Sequence, residues 1–357
     1  MVYGKLPGVY FTETVSTIST PSNKAPLFIV ENSKALATVD NQLISYNNLE
    51  AFKAVFTDTA YTDIVDFIEA ALTEAGTQNS KFYVYKNTTG TAASFTNILV
   101  DSSNVEEIED VFYLEGVEGS GSNTFAAKVG GLKSGANTCY TNGVNRICYV
   151  IPAVTLEDST NNEVITGMTT ILNGIDSGRI APIVPDYAGA IAGRVIAANY
   201  NEEIGYAPFN TDVSTPEHNF TYSEMVQLQD MGVMFVRGER LRGATVYRVN
   251  LGVSSAFASD AADGLLISRR IADELLREVK VACDAFVKAP NDIEEGLQGL
   301  QVDIDNVIDR FITAREVFED GTELIVEEGN TVYDFQVNGT IKPIKSTIAI
   351  NVNTKLS

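Results

Sequence analysis

Residues 147–198 read ICYVIPAVTLEDSTNNEVITGMTTILNGIDSGRIAPIVPDYAGAIAGRVIAA, and the succession of patterns in this stretch decides the fold class. Ile147 to Ile151 is a continuous apolar run of strand length. Val164, Met168, Ile171 and Leu172 then recur at helical spacing. Ile180 to Val184 is a second apolar run, and Ala188 to Ala198 is a helix of small residues. Strands that alternate with helices form an α/β layer, because each helix buries its apolar stripe on the sheet.

Upstream, the same alternation continues. Leu27 to Val30 reads as a strand, Ile64, Phe67, Ile68 and Leu72 as a helix, and Phe82 to Tyr85 as a strand, so the α/β layer spans roughly residues 25–205. The stretch from Asn87 to Gly135, rich in Gly, Ser, Thr and Asn, reads as a loop-bearing excursion. Downstream, a polar loop from Pro208 to Thr221 leads to strands at Val233 to Val236 and Thr245 to Val249. Two long helices follow: Ile267, Ile271, Leu275, Val279, Ala282 and Phe286 line one, which stops at Pro290, and Leu297, Leu300, Ile304, Val307, Ile308 and Phe311 line the next. A turn at Gly321 and strands near Leu324 to Val326 and Thr331 to Val337 complete an α+β half without an internal repeat.

Both ends read as β-strands with no partner in their own sequence neighbourhood. Pro7-Gly8 makes a turn before a β-branched and aromatic run that includes Val9, Tyr10, Phe11, Val15 and Ile18. At the other end Ile344, Ile348, Ile350 and Val352 share one face, while Lys345, Thr347, Asn351 and Asn353 share the other. A free strand edge is a template for pairing with another chain, so such arms are either hidden or used in assembly.

At 357 residues, two domains are the natural expectation. The chain is 45% hydrophobic and 20% charged, a globular composition, and its 25 basic against 47 acidic residues give a net charge of −22. That balance opposes a general role in binding nucleic acid, which needs Lys/Arg clusters for phosphate. No stretch reaches membrane-spanning apolar length, and the first residues lack the pattern of a signal peptide. Cys139, Cys148 and Cys283 are too few for a disulfide framework and lack metal-site spacing. Asn142-Gly143 is a hairpin signal, and tight pairing there sets Cys139 opposite Arg146, leaving the two nearby sulfurs off register. All three are expected as reduced thiols.

Candidates for chemistry are weak. The sole histidine, His218, lies in a polar loop and reads as a surface residue. Gly116, Gly119 and Gly121 do not form a dinucleotide or phosphate motif and read as a flexible loop. Asp303, Asp305 and Asp309 fall within a helical pattern and read as a solvated face. One charge pattern stands out: the helix from Leu265 carries Arg269, Arg270, Arg277, Lys280 and Lys288, and positions 270, 277, 280 and 288 lie near one face. That face is either solvated or a basic stripe that meets an acidic partner.

Several motifs together resemble the sheath proteins of contractile phage tails and phage-tail-like injection particles. Pro7-Gly8-Val9-Tyr10 with Glu13 is similar to the family's start, and AGAIAGRVIAANYNEEIGYAPFN (188–210) to its small-residue helix and the Ala-Pro-x-Asn that follows. GVMFVRGERLRGATVYR (232–248) resembles its strand, turn and strand; Arg269-Arg270 with Phe286 and Pro290-Asn291-Asp292 resembles its next helix; and the arm after Lys342-Pro343 resembles its last strand.

The resemblance implies a two-domain subunit of α/β plus α+β class: an N-terminal arm (1–24) packing with the inner domain and neighbours, an outer domain (25–205), an inner domain contacting a tube (206–343) and a C-terminal strand-exchange arm (344–357). It further implies helical polymerisation around an inner tube and contraction that drives the tube through a cell envelope. The implied partners are further copies of the chain, the tail tube protein, and baseplate and tail terminator proteins. No cofactor, metal, catalytic residue, or direct nucleic-acid or membrane contact is expected. Such a protein would be made in a host cytoplasm and reside in a virion tail or tail-like particle, with Arg270, Arg277, Lys280 and Lys288 as candidate tube contacts. The alternatives are an α/β enzyme using Asp/Glu chemistry, or another self-assembling protein such as a surface-layer or tube subunit.

Overall fold

The computed structural model describes residues 24–344 except 89–90, 117–122, 157–158, 206–207, 242–243, 261–263, 289–292 and 329–334. Its centre is a six-stranded sheet of β1 (Leu27–Glu31), β2 (Leu43–Tyr46), β3 (Phe82–Asn87), β4 (Asp110–Leu114), β5 (Ile147–Ile151) and β6 (Ile180–Pro182), in the order β2-β3-β1-β4-β5-β6. The last five in that order are parallel, and β2 is an antiparallel edge. β1, β4 and β5 are buried along their whole length, which is why they read as continuous apolar runs and do not alternate.

Alternate side chains feed two cores, one on each face. Phe28, Val30, Phe82, Val84, Phe112 and Tyr149 point to the face covered by α1 (Leu49–Lys53), α2 (Thr62–Ala75) and α6 (Ala188–Ala197). Leu27, Ile29, Tyr113, Cys148 and Val150 point to the face covered by α3 (Ala92–Asp101), α4 (Phe125–Thr141), α5 (Asn161–Leu172) and α7 (Tyr222–Asp230). The small residues of α6 let it lie close on α2: a Cβ on Gly193 would collide with the Glu74 side chain, and one on Gly189 with Ala70.

The first of these cores runs on without a break into the second half of the chain. Ile271, Leu275 and Val279 of α8 (Leu266–Lys288), Leu300, Ile304 and Phe311 of α9 (Ile293–Thr313), and Leu324 and Val337 belong to the same cluster as Phe28. A ribbon of β7 (Val236–Leu241) and β8 (Ala244–Val249) and a hairpin of β9 (Glu323–Glu328) and β10 (Phe335–Thr340) are both antiparallel.

Three expectations about these elements need correction. The region 87–135 is not a loop excursion: it contains α3, β4 and the first part of α4. Its Thr and Ser residues serve as caps, with Thr91 Oγ1 accepting from Ser94 N–H (3.3 Å) and Thr124 Oγ1 from Ala127 N–H (3.4 Å). Asn142-Gly143 does not turn a hairpin, because it ends α4, where Gly143 N–H returns to Tyr140 O (2.9 Å), and β5 pairs with parallel neighbours. The expected strand at Val233 to Val236 begins as a ladder only at Val236; Met234 makes an isolated bridge to Ile183. Before it, α7 was hidden by low apolar content, although Thr221 and Glu224 close a capping box at its start. The three cysteines are buried free thiols, as expected.

Candidate assembly surfaces

In a doubly wound sheet, ligands bind outside the carboxyl ends of the strands where the strand order reverses, here between β1 and β4. The chain fills that crevice with its own charges. Glu31, at the end of β1, is 2% exposed and accepts from Lys128 Nζ (2.9 Å) and Tyr113 OH (2.8 Å). Gly116 lies directly on the Glu31 backbone carbonyl, where any Cβ would overlap it. One strand over, Glu115 accepts from Thr155 N–H (2.7 Å), Thr155 Oγ1 (2.6 Å) and Val154 N–H (3.1 Å).

An open cleft of about 530 Å³ lies beyond β5 and β6, lined by residues that include Leu156, Tyr187, Thr215 and His218. His218 is not the surface residue expected from its polar loop, since only 8% of it is exposed. Its Nδ1 lies 2.7 Å from Asp186 Oδ1, its Nε2 lies 2.7 Å from Ser159 O, and its ring stacks on Phe220. Burial by itself would lower the imidazole pKa. The bonds to Asp186 and Ser159 and the charges of Asp186 and Glu217 outweigh that and hold it above its ordinary value. With an acceptor beside each nitrogen, the site suits a doubly protonated ring, which would donate on both sides and tie three segments together.

The basic residues of α8 divide into two groups. Arg270 is buried: it donates to Asp110 Oδ2 (3.1 Å) and to the carbonyls of Val195 (3.0 Å) and Ala198 (3.3 Å) at the end of α6. The expectation that it contacts a partner is therefore corrected. Two turns further along, Arg277 pairs with Glu274 and with Glu109 (3.1 Å), and Lys280 lies 3.9 Å from Glu106. Glu109 also holds Lys24 at 2.5 Å, next to the Ala25 N–H bond to Glu107 O, so this face of α8 adjoins the point where the chain enters the sheet. Burial would raise the Glu109 pKa, but Lys24 and Arg277 outweigh it and hold it below the usual carboxylate value. The side chain of Lys288 lies outside the described residues, as do Val9, Tyr10, Phe11, Val15, Ile18, Ile348, Ile350 and Val352.

The β9–β10 hairpin has two unlike edges. Gln301 of α9 donates to Leu324 O (2.9 Å) and accepts from Val326 N–H (2.7 Å), so one side-chain amide occupies the outer edge of β9. These groups point away from β10, and the partners of Leu324 and Val326 are Gly339 and Val337. The backbone polar groups of Val337 and Gly339 therefore face outward on the opposite edge, where no backbone partner meets them among the described residues.

Past a turn the hairpin resumes: Phe318 N–H donates to Lys342 O (2.9 Å) and Ile344 N–H to Glu316 O (2.8 Å). Glu316 is itself fixed, with its carboxylate accepting from Tyr200 OH (2.9 Å) and Asn201 Nδ2 (2.8 Å). Upstream of Glu316 the partner strand stops, because α9 ends at Thr313 and Arg315 turns the chain at φ +61°. Ile344, the one described residue among the expected C-terminal arm positions, thus takes the last ladder bond among the described residues. Sequence reasoning missed Gln301; a single glutamine in an amphipathic helix carries no signal of the strand edge it covers.

No family model matches the chain, and no curated protein matches it in sequence. Solved structures share its fold. The helical sheath of the anti-feeding prophage in its contracted state aligns with TM-score 0.67 and 14% identity over 98% of this chain and 99% of that one. A sheath tail protein of Listeria innocua aligns with TM-score 0.63 and 12% identity over 92% and 93%. A chain of the anti-feeding prophage baseplate in its contracted state aligns with TM-score 0.64 and 11% identity over 98% and 99%.

Proposed function

We propose that this protein is the sheath subunit of a contractile tail or tail-like injection particle, polymerising as a helical sleeve around an inner tube. The observation that carries this is the open edge of β10 in the same hairpin whose second strand leads into the C-terminal arm, combined with end-to-end likeness to a contracted sheath. Among the described residues the ladder reaches Glu316 and Ile344, and the sequence that follows has an apolar face at Ile348, Ile350 and Val352. A neighbouring copy's hairpin offers it a ladder. Because donor and acceptor are different surfaces, the contact is head-to-tail and generates an open helix.

Division into an outer domain over 25–205 and an inner, tube-facing domain over 206–343 is part of this proposal, as is the role of Val9, Tyr10, Phe11, Val15 and Ile18 in an N-terminal arm at 1–24. Contraction requires two packings of the same subunits, with the arms as hinges and the longer packing held on the tube. Arg277, Lys280 and Lys288 are the proposed tube contacts. The first two would exchange their own carboxylates for those of the tube, whereas Arg270 is committed to Asp110. Tube, baseplate and terminator proteins are the proposed partners. An enzyme using Asp/Glu chemistry is disfavoured by the crevice between β1 and β4, which Glu31, Lys128 and Gly116 fill.

Removing residues 348–357 tests the proposal. The truncated protein is expected to remain a folded, soluble monomer that forms no sleeves with its tube by electron microscopy. Intact cylinders from it would overturn the strand-exchange reading.

A further inference from the structure

We infer that Asn173 is a site of spontaneous covalent modification, where water converts the side-chain amide to a carboxylate and leaves part of the population linked through isoaspartate; the inference is independent of the sleeve reading. Three asparagines in the chain precede glycine: Asn142, Asn173 and Asn338. Glycine carries no Cβ to shield its own nitrogen. At such a pair the glycine nitrogen gives its proton to hydroxide and attacks the asparagine Cγ, so that a new C–N bond forms while the bond to the side-chain nitrogen breaks and ammonia leaves. Water then opens the resulting cyclic imide. Attack at the side-chain carbonyl restores the ordinary chain as aspartate, and attack at the main-chain carbonyl reroutes it through the side chain as isoaspartate. Water is consumed and ammonia released, and no oxidant or reductant takes part.

Ring closure requires the asparagine to swing about its Cα–C bond, so in a folded chain the reaction waits on local opening and is fastest where least must break. Asn173 and Gly174 are the exposed central pair of a turn after α5, with Asn173 at φ −58° and ψ 114° and Gly174 at φ +76°, the type II pattern. One good bond closes this turn, from Ile175 N–H to Leu172 O at 2.8 Å; Asn173 N–H reaches Thr170 O only at 3.4 Å, and Lys133 Nζ reaches Gly174 O at 3.3 Å. The attacking Gly174 nitrogen has no acceptor among the described residues, and a Cβ at Gly174 would meet nothing within 4 Å.

The other two pairs are held. Asn142 N–H donates to Thr138 O (3.0 Å) and Cys139 O (2.9 Å), the Gly143 nitrogen is itself tied to Tyr140 O (2.9 Å), and Val144 N–H returns to Cys139 O (2.9 Å). Asn338 lies inside β10 opposite Ile325, its side chain donates to Glu327 Oε2 (2.9 Å), and Gly339 sits against the Glu323 carbonyl. Just beyond the reactive turn, Asp176 accepts from Ser259 Oγ (2.9 Å), and Ser177 bonds Ser255 at 3.1 and 3.2 Å. Conversion therefore places a new charge, and in the isoaspartate form an extra backbone carbon, directly before a segment that ties the sheet to the second half of the chain.

The test keeps folded protein in mildly alkaline heavy-oxygen water and follows the three asparagine peptides by mass spectrometry, with enzymatic methylation of isoaspartate as a second readout. Asn173 is expected to gain the acid mass and the heavy oxygen first, on the order of tenfold faster than Asn142 or Asn338, because those two must give up more bonds. In the urea-unfolded chain the three are expected to convert at similar rates, which assigns the difference to the fold. Asn173→Gln is expected to melt as wild type does and to lose most of the isoaspartate signal of the folded protein. Conversion of Asn142 or Asn338 in the folded protein as fast as Asn173 would overturn the inference. So would an Asn173 that stays an amide long after the unfolded chain has converted, or an isoaspartate signal unchanged in Asn173→Gln.

Discussion

The two ends of the central sheet are closed by the same chemistry and do different things. At the amino ends, Asp110 opens β4 and Arg179 precedes β6, and both are answered from α8: Arg270 bonds Asp110, and Asp273 takes Arg179 at 2.9 and 3.1 Å. Those partners are 160 and 94 residues apart in sequence, so the ion pairs fasten the second half of the chain to the sheet. At the carboxyl ends, Glu31, Lys128 and Tyr113 belong to the sheet layer itself and only seal its crevice. One set of buried charges joins halves, and the other occupies the place where folds of this topology keep a ligand.

That contrast fails if the α8 pair is energetically idle. Replacing Arg270 with Ala leaves Asp110 buried without its cation and the last carbonyls of α6 without a donor, and is expected to cost about 3–5 kcal/mol in urea unfolding. A loss under about 1 kcal/mol would mean that the apolar contacts of α8 alone hold the halves together. At the opposite end, Lys128→Met is expected to cost less, about 3 kcal/mol, because Tyr113 still donates to Glu31. Combining it with Glu31→Leu is expected to recover most of the loss, since a buried pair replaced by apolar residues is often close to neutral. Failure of the double variant to recover would give the crevice charges a role beyond filling.

His218 sharpens the comparison because it seals the carboxyl side through a titrating group. Its folded pKa lies above that of the unfolded chain, so its stabilisation is fully present below about pH 6.5 and is lost as pH rises through the folded value. His218→Gln is expected to destabilise the protein by about 1–3 kcal/mol at pH 6, with the gap to wild type closing in alkaline buffer. A gap that widens with pH would show a neutral ring and refute the doubly donating tie. The smallest effect is expected at Gln301. Changing it to Ala releases one carbonyl and one N–H at the β9 edge, for about 1 kcal/mol, seen as faster hydrogen exchange at Val326.

The parallel strands were legible because each is buried on both faces and therefore appears as an uninterrupted apolar run, as at Ile147 to Ile151. The long helices were legible because α8 and α9 each bury an apolar stripe at helical spacing, and on α9 the opposite side is exposed, as at Asp303 and Asp309. What failed depended on contacts distant in sequence. Asn142-Gly143 carries the same local signal at a helix end as in a hairpin, and only the parallel pairing of β5 decides between them. His218 looked exposed because its neighbours are polar, whereas Asp186, 32 residues earlier, is what buries it. Arg270 looked like part of a stripe because helical spacing records the angle of a residue around its axis but not what faces it there.

Gln301 gives the C-terminal hairpin a valence. A two-stranded sheet with both margins bare can take up chains on either side, and stacks built that way branch or grow into fibrils. With one margin occupied by an amide from the chain's own helix, one margin of that sheet is left open among the described residues, and the proposed sleeve would fill it with a neighbouring copy's C-terminal segment. Under the proposed strand exchange, one slot and one donor per molecule would give the connectivity of an unbranched thread, and Gln301 would confine growth to a fixed polarity.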